Sequence, residues 1–219
     1  MQETYVSETT AGQWEWAEDQ RLIMWCVTFT RAITAPDVLA RYGADPQAAR
    51  LLERDEAHPL YDATAQEGSV LRAGSFGEWS FCWEEHGIAG AMFGTCAALS
   101  EGTETLSLLR CAKGRNSFAH WRDGQCVEHF EPGMTFTKPQ SPHPWWDAIE
   151  DHLAAQPPQR SSLISALEVV AAHIGAALDS RIVNGPLLTA ALLTSRESPS
   201  PNWPRTTNRR PPGRRLASF

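Results

Sequence analysis

From Glu104 to Glu131 the chain alternates between side chains suited to opposite faces of a strand, and it reverses direction twice. Leu106 and Leu108 fall on one face and Leu109 and Cys111 on the other, the pattern of a strand near a sheet centre. Lys113-Gly114-Arg115-Asn116 makes the first reversal and Asp123-Gly124 the second. Asp-Gly between two β-prone runs favours a type I′ turn, because both central residues must take positive φ. The stretch predicts a three-stranded antiparallel meander over 104–131. With Arg122 facing Gln125, regular pairing sets Phe118 opposite His129 and His120 opposite Val127, which puts His120 and His129 on one face.

Upstream, Trp79, Phe81 and Trp83 alternate with Ser80, Cys82 and Glu84, the pattern of a strand with one packed and one more open face. Residues 69–73 read as its neighbour, and 22–30 as a strand or a buried helical segment. Thr34-Ala35-Pro36-Asp37 is a helix start, with Thr34 as N-cap, Pro36 in the first turn and Asp37 reaching back as in a capping box. Val38, Leu39 and Tyr42 form its apolar stripe, and Gly43 ends it. Residues 45–68 read as an acidic loop with a helical turn near 48–53. Short helices are expected over about 92–99 and 145–153, and a longer one from Ser161 to about Asp179 with Leu163, Leu167, Val170, Ile174 and Leu178 inside. Leu187–Leu193 reads as a last short docking element.

These elements predict a single α+β domain over 21–193, a mainly antiparallel sheet of about five to six strands with helices packed on it. Residues 1–20 are polar and expected to be mostly unstructured, and the Pro- and Arg-rich tail over 194–219 to be disordered. Composition changes this picture little, since 42% hydrophobic and 21% charged residues are ordinary for a globular chain. Charge changes it more. The net charge is −7, yet six arginines and one glutamate follow Thr194, so the body stands near −12. Such a body repels nucleic-acid phosphates and acidic membrane surfaces. Only the tail arginines Arg205, Arg209, Arg210, Arg214 and Arg215 offer a nucleic-acid contact, and no aromatic interleaving supports one. The start lacks the basic and apolar segments of a signal peptide, and no apolar run approaches the ~18 residues of a membrane span. Five cysteines without a C-x-x-C pair read as free thiols in a reducing cytoplasm.

The order of these motifs resembles a family of uncharacterised actinobacterial proteins carrying a domain of unknown function. The resemblance rests on the helix at Thr34–Asp45, the Gly77-Glu78-Trp79 strand start, Ser100-Glu101-Gly102-Thr103 ahead of a strand, and the hairpin from Phe118 through Asp123-Gly124 to Phe130-Glu131-Pro132. It covers roughly residues 22–193, implies an α+β domain in a bacterial cytoplasm, and carries over no catalytic residue.

Candidate chemistry is sparse. Glu84, Glu85 and His86 end a strand, where a carboxylate beside an imidazole suits acid–base work near neutral pH. His120 is the nearest addition to that group. His120 and His129 could share a metal only with a further ligand such as His86 or Glu84, and the spacing demands none; no cofactor template is present either. Trp14, Trp16, Trp145 and Trp146 sit near element edges and are candidates to anchor a protein partner. The leading expectation is a non-enzymatic interaction module with an acidic, Trp-bordered surface. The alternative is a small enzyme or ligand-binding domain using Glu84, Glu85, His86 and His120 around one pocket.

Overall fold

The computed structural model describes residues 13–64, 68–112 and 114–193. Its strands are β1 (Trp25–Arg31), β2 (Arg50–Leu52), β3 (Gly68–Phe76), β4 (Trp79–Glu85), β5 (Glu104–Arg110), β6 (Asn116–Arg122), β7 (Gln125–Phe130) and β8 (Leu187–Leu193). They form an antiparallel sheet in the order β2-β8-β3-β4-β1-β5-β6-β7. Eight strands replace the five to six expected. The two extra ones are β2, which lies where a loop with a helical turn was expected, and β8, which inserts between β2 and β3. Neither carries a turn signal that would fix its partner; both are held by pairing distant in sequence.

The helices are α1 (Glu15–Glu18), α2 (Ala35–Tyr42), α3 (His58–Thr64), α4 (Phe93–Leu99), α5 (Pro144–Ala154), α6 (Ser162–Ile174) and α7 (Ser180–Asn184). α2 starts as its sequence dictates: the Thr34 side chain accepts from Asp37 N, the Asp37 carboxylate accepts from Thr34 N, and Gly43 closes the helix at φ 93°. The long helix expected to reach Asp179 stops at Ile174, because Gly175 turns left-handed at φ 73°. Within the segment expected to be mostly unstructured, α1 docks Trp16, whose Nε1 donates to Leu178 O at 2.6 Å.

Both sheet faces are covered. Trp25, Val27 and Phe29 of β1 and Trp79, Phe81 and Trp83 of β4 point to the first face, under α1, α5, α6 and α7. The intervening positions of β4, Ser80, Cys82 and Glu84, were expected on a more open face and are all buried. On that second face Leu71, Ala73 and Cys82 pack against Val38, Leu39 and Tyr42 of α2 and Leu99 of α4. With helices on each side, the central strands lose their solvent face, and every β1 residue but Arg31 is buried, Thr28 and Thr30 included.

The meander forms with both expected reversals, and Asp123 and Gly124 take φ 49° and 75° as a type I′ turn requires. Its second hairpin departs from regular register. Arg122 faces Gln125 and Trp121 faces Cys126, but His120 faces Glu128 and Phe118 faces Phe130. Val127 is the extra residue of a β-bulge. A one-residue slip exchanges the faces of everything beyond it. Glu128 and Phe130 therefore join His120 on the first face, and His129 goes to the second, overturning the expected His120–His129 pairing.

Candidate functional site

β5 and β6 pair with Glu104 opposite Arg122 and Leu106 opposite His120. Period-two geometry then sets Glu104, His120 and Arg122 on the first face, at the sheet end nearest the 123–124 turn. Over them lies a cleft of about 440 Å³, walled by Pro142 and Pro144, by Trp145 and Ala148 of α5, and by Val169 and His173 of α6.

Glu104 organises the floor. Its Oε2 accepts from Arg122 Nη2 at 2.9 Å and lies 3.5 Å from His120 Nε2, while Oε1 is 3.5 Å from Arg31 Nη1. Burial alone would raise the Glu104 pKa, but the hydrogen bond and charge of Arg122, helped by His120, leave it below the ordinary carboxylate value. His120 is depressed, first by burial; Glu104 opposes that shift and Arg122 adds to it. At neutral pH the floor thus holds an ionised carboxylate beside a neutral imidazole. His120 is only 6% exposed, and among the described residues neither of its ring nitrogens has a hydrogen-bond partner. An unsatisfied buried polar group costs about 1–3 kcal/mol, so an orphaned imidazole under a cleft calls for a functional explanation.

Aromatic rings hold the walls. Trp145 lies 5.9 Å from His120 and 4.9 Å from His173, and Trp79 packs 5.8 Å from His173. Trp145 is placed by the bulge: Glu128, 1% exposed, accepts from Trp145 N at 3.1 Å and Trp146 N at 3.0 Å. A carboxylate on the free N–H groups of a helix start is favourable both as a hydrogen-bond acceptor and against the helix dipole.

The four residues expected to share a pocket do not meet. Glu84 is fully buried on the second face, where it accepts from Ala89 N at 2.9 Å and Gly90 N at 2.6 Å. Burial pushes its carboxyl up to about 7, against those two hydrogen bonds. Glu85 is on the first face but bound to Arg54 at 2.6 and 3.0 Å. It aligns through β1 with Arg110, six residues along β5 from Glu104, or roughly 20 Å by strand rise. His86 is exposed 3.8 Å from Glu85 and takes a left-handed backbone, φ 61°. Only His120 lies in the cleft.

Trp14, Trp16, Trp145 and Trp146 are all buried, at 4–9% exposure, within the first-face core. They seal the sheet against its helices, and Trp145 also walls the His120 cleft. Among the described residues no group of three His, Cys, Asp or Glu is placed to hold a metal ion, and no helix is long and apolar enough to cross a membrane. Arg205, Arg209, Arg210, Arg214 and Arg215 lie outside the described residues.

Glu104, Arg122 and His173 were not singled out in the sequence. The first two were within reach, since a regular β5–β6 hairpin already places both beside His120. His173 was not, because only the packing of α6 brings it there.

Fold and site together define an α+β protein with a doubly covered antiparallel sheet and an acid–imidazole cleft at one end. The chain belongs to the family of unknown function DUF6461, whose model matches residues 7–156. That match takes in Glu104, His120, Arg122 and Trp145 and ends before α6. No curated protein and no solved structure matches the chain.

Proposed function

We propose that this protein binds a small organic ligand in the His120 cleft, with His120 and Glu104 placed to exchange a proton with it. The observation that carries the reading is the buried imidazole whose Nδ1 has no hydrogen-bond partner among the described residues and whose Nε2 has only the loose 3.5 Å contact with Glu104, beneath a concave, aromatic-walled opening. Its depressed pKa keeps it neutral and able to accept a proton at neutral pH. The His120–Glu104 separation of 3.5 Å is loose, as catalytic and binding contacts often are before a ligand tightens them. Both imidazole nitrogens are buried, with the Trp145 ring 5.9 Å away, so a ligand that reaches them must displace part of the wall. The setting we propose is a reducing bacterial cytoplasm, supported by five free cysteines, of which Cys26, Cys82 and Cys96 are buried. This reading keeps His120 from the sequence-based alternative and replaces its partners. The interaction module is left with its acidic charge alone, since its tryptophans are in the core.

The test is a fragment screen by ligand-observed NMR on the wild type and on Ala148→Trp, which fills the cleft from an exposed wall position. The expected result is a set of fragments that bind the wild type and are lost in the variant. Identical hits on both proteins, or none on either, would remove the reading.

A further inference from the structure

We infer that the ligand of the His120 cleft is a neutral, largely apolar molecule, its polarity confined to the one atom that meets the imidazole. This rests on the ligand-binding reading above and adds the ligand's chemical class. The cleft wall that meets water is apolar. Val127 at the β7 bulge is 46% exposed, and Pro142, Pro144 and Ala148 are exposed beside it. Val169 of α6, half-buried, completes the wall. Exposed apolar side chains gathered on one concave surface favour an apolar guest, because covering them removes that surface from water.

The ionised groups of the cleft are already matched to one another. Glu104 accepts from Arg122 Nη2 at 2.9 Å through one oxygen and lies 3.5 Å from Arg31 Nη1 through the other. Arg31 in turn holds Glu78 at 3.0 Å. Two guanidiniums and two carboxylates sum to zero, and His120, its pKa depressed, is neutral at neutral pH. An anion entering the cleft would meet Glu104 together with Arg122, and a cation would meet Arg122 together with Glu104. Either would give up its water for apolar walls without gaining an unmatched charge, which is costly. Trp145 does not help a cation, since its ring is packed among Phe118, His120 and His173 and is only 9% exposed. Both His120 nitrogens lie beneath the wall, so the imidazole asks for a single polar atom and leaves the rest of the ligand to apolar contact.

The experiment uses three probes on one skeleton, naphthalene carrying a hydroxyl, a carboxylate or an aminomethyl group at the same carbon. At neutral pH they are neutral, anionic and cationic. Each is titrated into the full chain and into Ala148→Trp while the His120 C2 proton, assigned from His120→Gln, is followed by NMR. Naphthol is expected to shift His120 and to bind the wild type about tenfold or more tighter than either ion. Its affinity should stay constant from about 0.05 to 0.5 M salt, and Ala148→Trp should abolish the shift. An ion that matches or exceeds naphthol, or a naphthol affinity that falls steeply with salt, makes the neutral class wrong and leaves the ligand-binding reading standing. Naphthol bound equally well by Ala148→Trp lies outside the cleft, and the inference falls. It falls also if no probe moves His120, whereas the reading beneath it falls only if the fragment screen yields no hit that Ala148→Trp removes.

Discussion

Glu84 buries a carboxyl completely and anchors the turn at Ala89–Gly90 with it. Its pKa near 7 makes stability depend on pH in a known direction. Below the ordinary value of 4.5 the group is protonated in both the folded and the unfolded chain. Between 4.5 and about 7 unfolding releases a proton, so stability falls as pH rises and levels off above the folded pKa. The shift corresponds to about 3 kcal/mol. His120 and His129 are depressed by burial and act oppositely, costing stability as pH falls below 6.5. The wild type minus Glu84→Gln difference in urea unfolding isolates the carboxyl, and should shrink by about 3 kcal/mol from pH 4.5 to 8. A flat difference would mean that Glu84 stays ionised in its pocket. At the cleft, Glu104 holds the His120 pKa up, so Glu104→Gln should drive it further below 6.5. An unchanged NMR titration of His120 would show that the two groups are not electrically coupled.

The bulge at Val127 decides what the β6–β7 hairpin contributes. It turns Glu128 onto the first two N–H groups of α5 and Phe130 into the core, where Phe130 is 2% exposed. Glu128→Ala strips the acceptor from both Trp145 N and Trp146 N and should cost about 1–3 kcal/mol. Glu128→Gln keeps one acceptor and should lose less. Near-UV circular dichroism should change with the first variant, since the Trp145 and Trp146 environments move with the helix start; equal stability of the three proteins would deny the cap its role. The same hairpin shows what was legible before the structure. Asp123-Gly124 and the Thr34–Asp37 capping box are local devices, complete within four residues, and both formed as read. The bulge was not readable, because Gln125-Cys126-Val127-Glu128-His129 contains no Gly or Pro to mark the extra residue. The pairings of β2 and β8 were likewise hidden, since a three-residue strand at Arg50–Leu52 acquires its identity from Leu187–Thr189. In the site, His120 was noticed by residue type, whereas its partners depend on register and on α6.

Across the whole molecule, the family match and the folded unit have different ends. The match stops at residue 156, yet α6, α7 and β8 all lie beyond it and belong to the core. β8 is the strand that joins β2 to β3, and α6 lays Leu163, Leu167 and Val170 over the tryptophans of the first face. Arg72 shows the dependence at one side chain. It is fully buried, and its guanidinium donates to Val183 O, to Gly185 O at 2.7 Å and to Leu52 O at 2.9 Å. Two of those three carbonyls lie beyond residue 156. Removing them leaves a buried charge short of partners, which costs several kcal/mol on its own. The same cut exposes the indoles of Trp79 and Trp145 and opens β3 as an apolar edge prone to pairing with other chains. A chain ending at residue 156 should therefore show no cooperative urea transition and a collapsed amide proton NMR spectrum. A chain ending at 193 should show a single sharp transition. A well-dispersed, cooperatively unfolding 1–156 chain would establish that the family unit folds without its second-half cover, and would leave the His120 cleft without the α6 wall on which its ligand is proposed to rest.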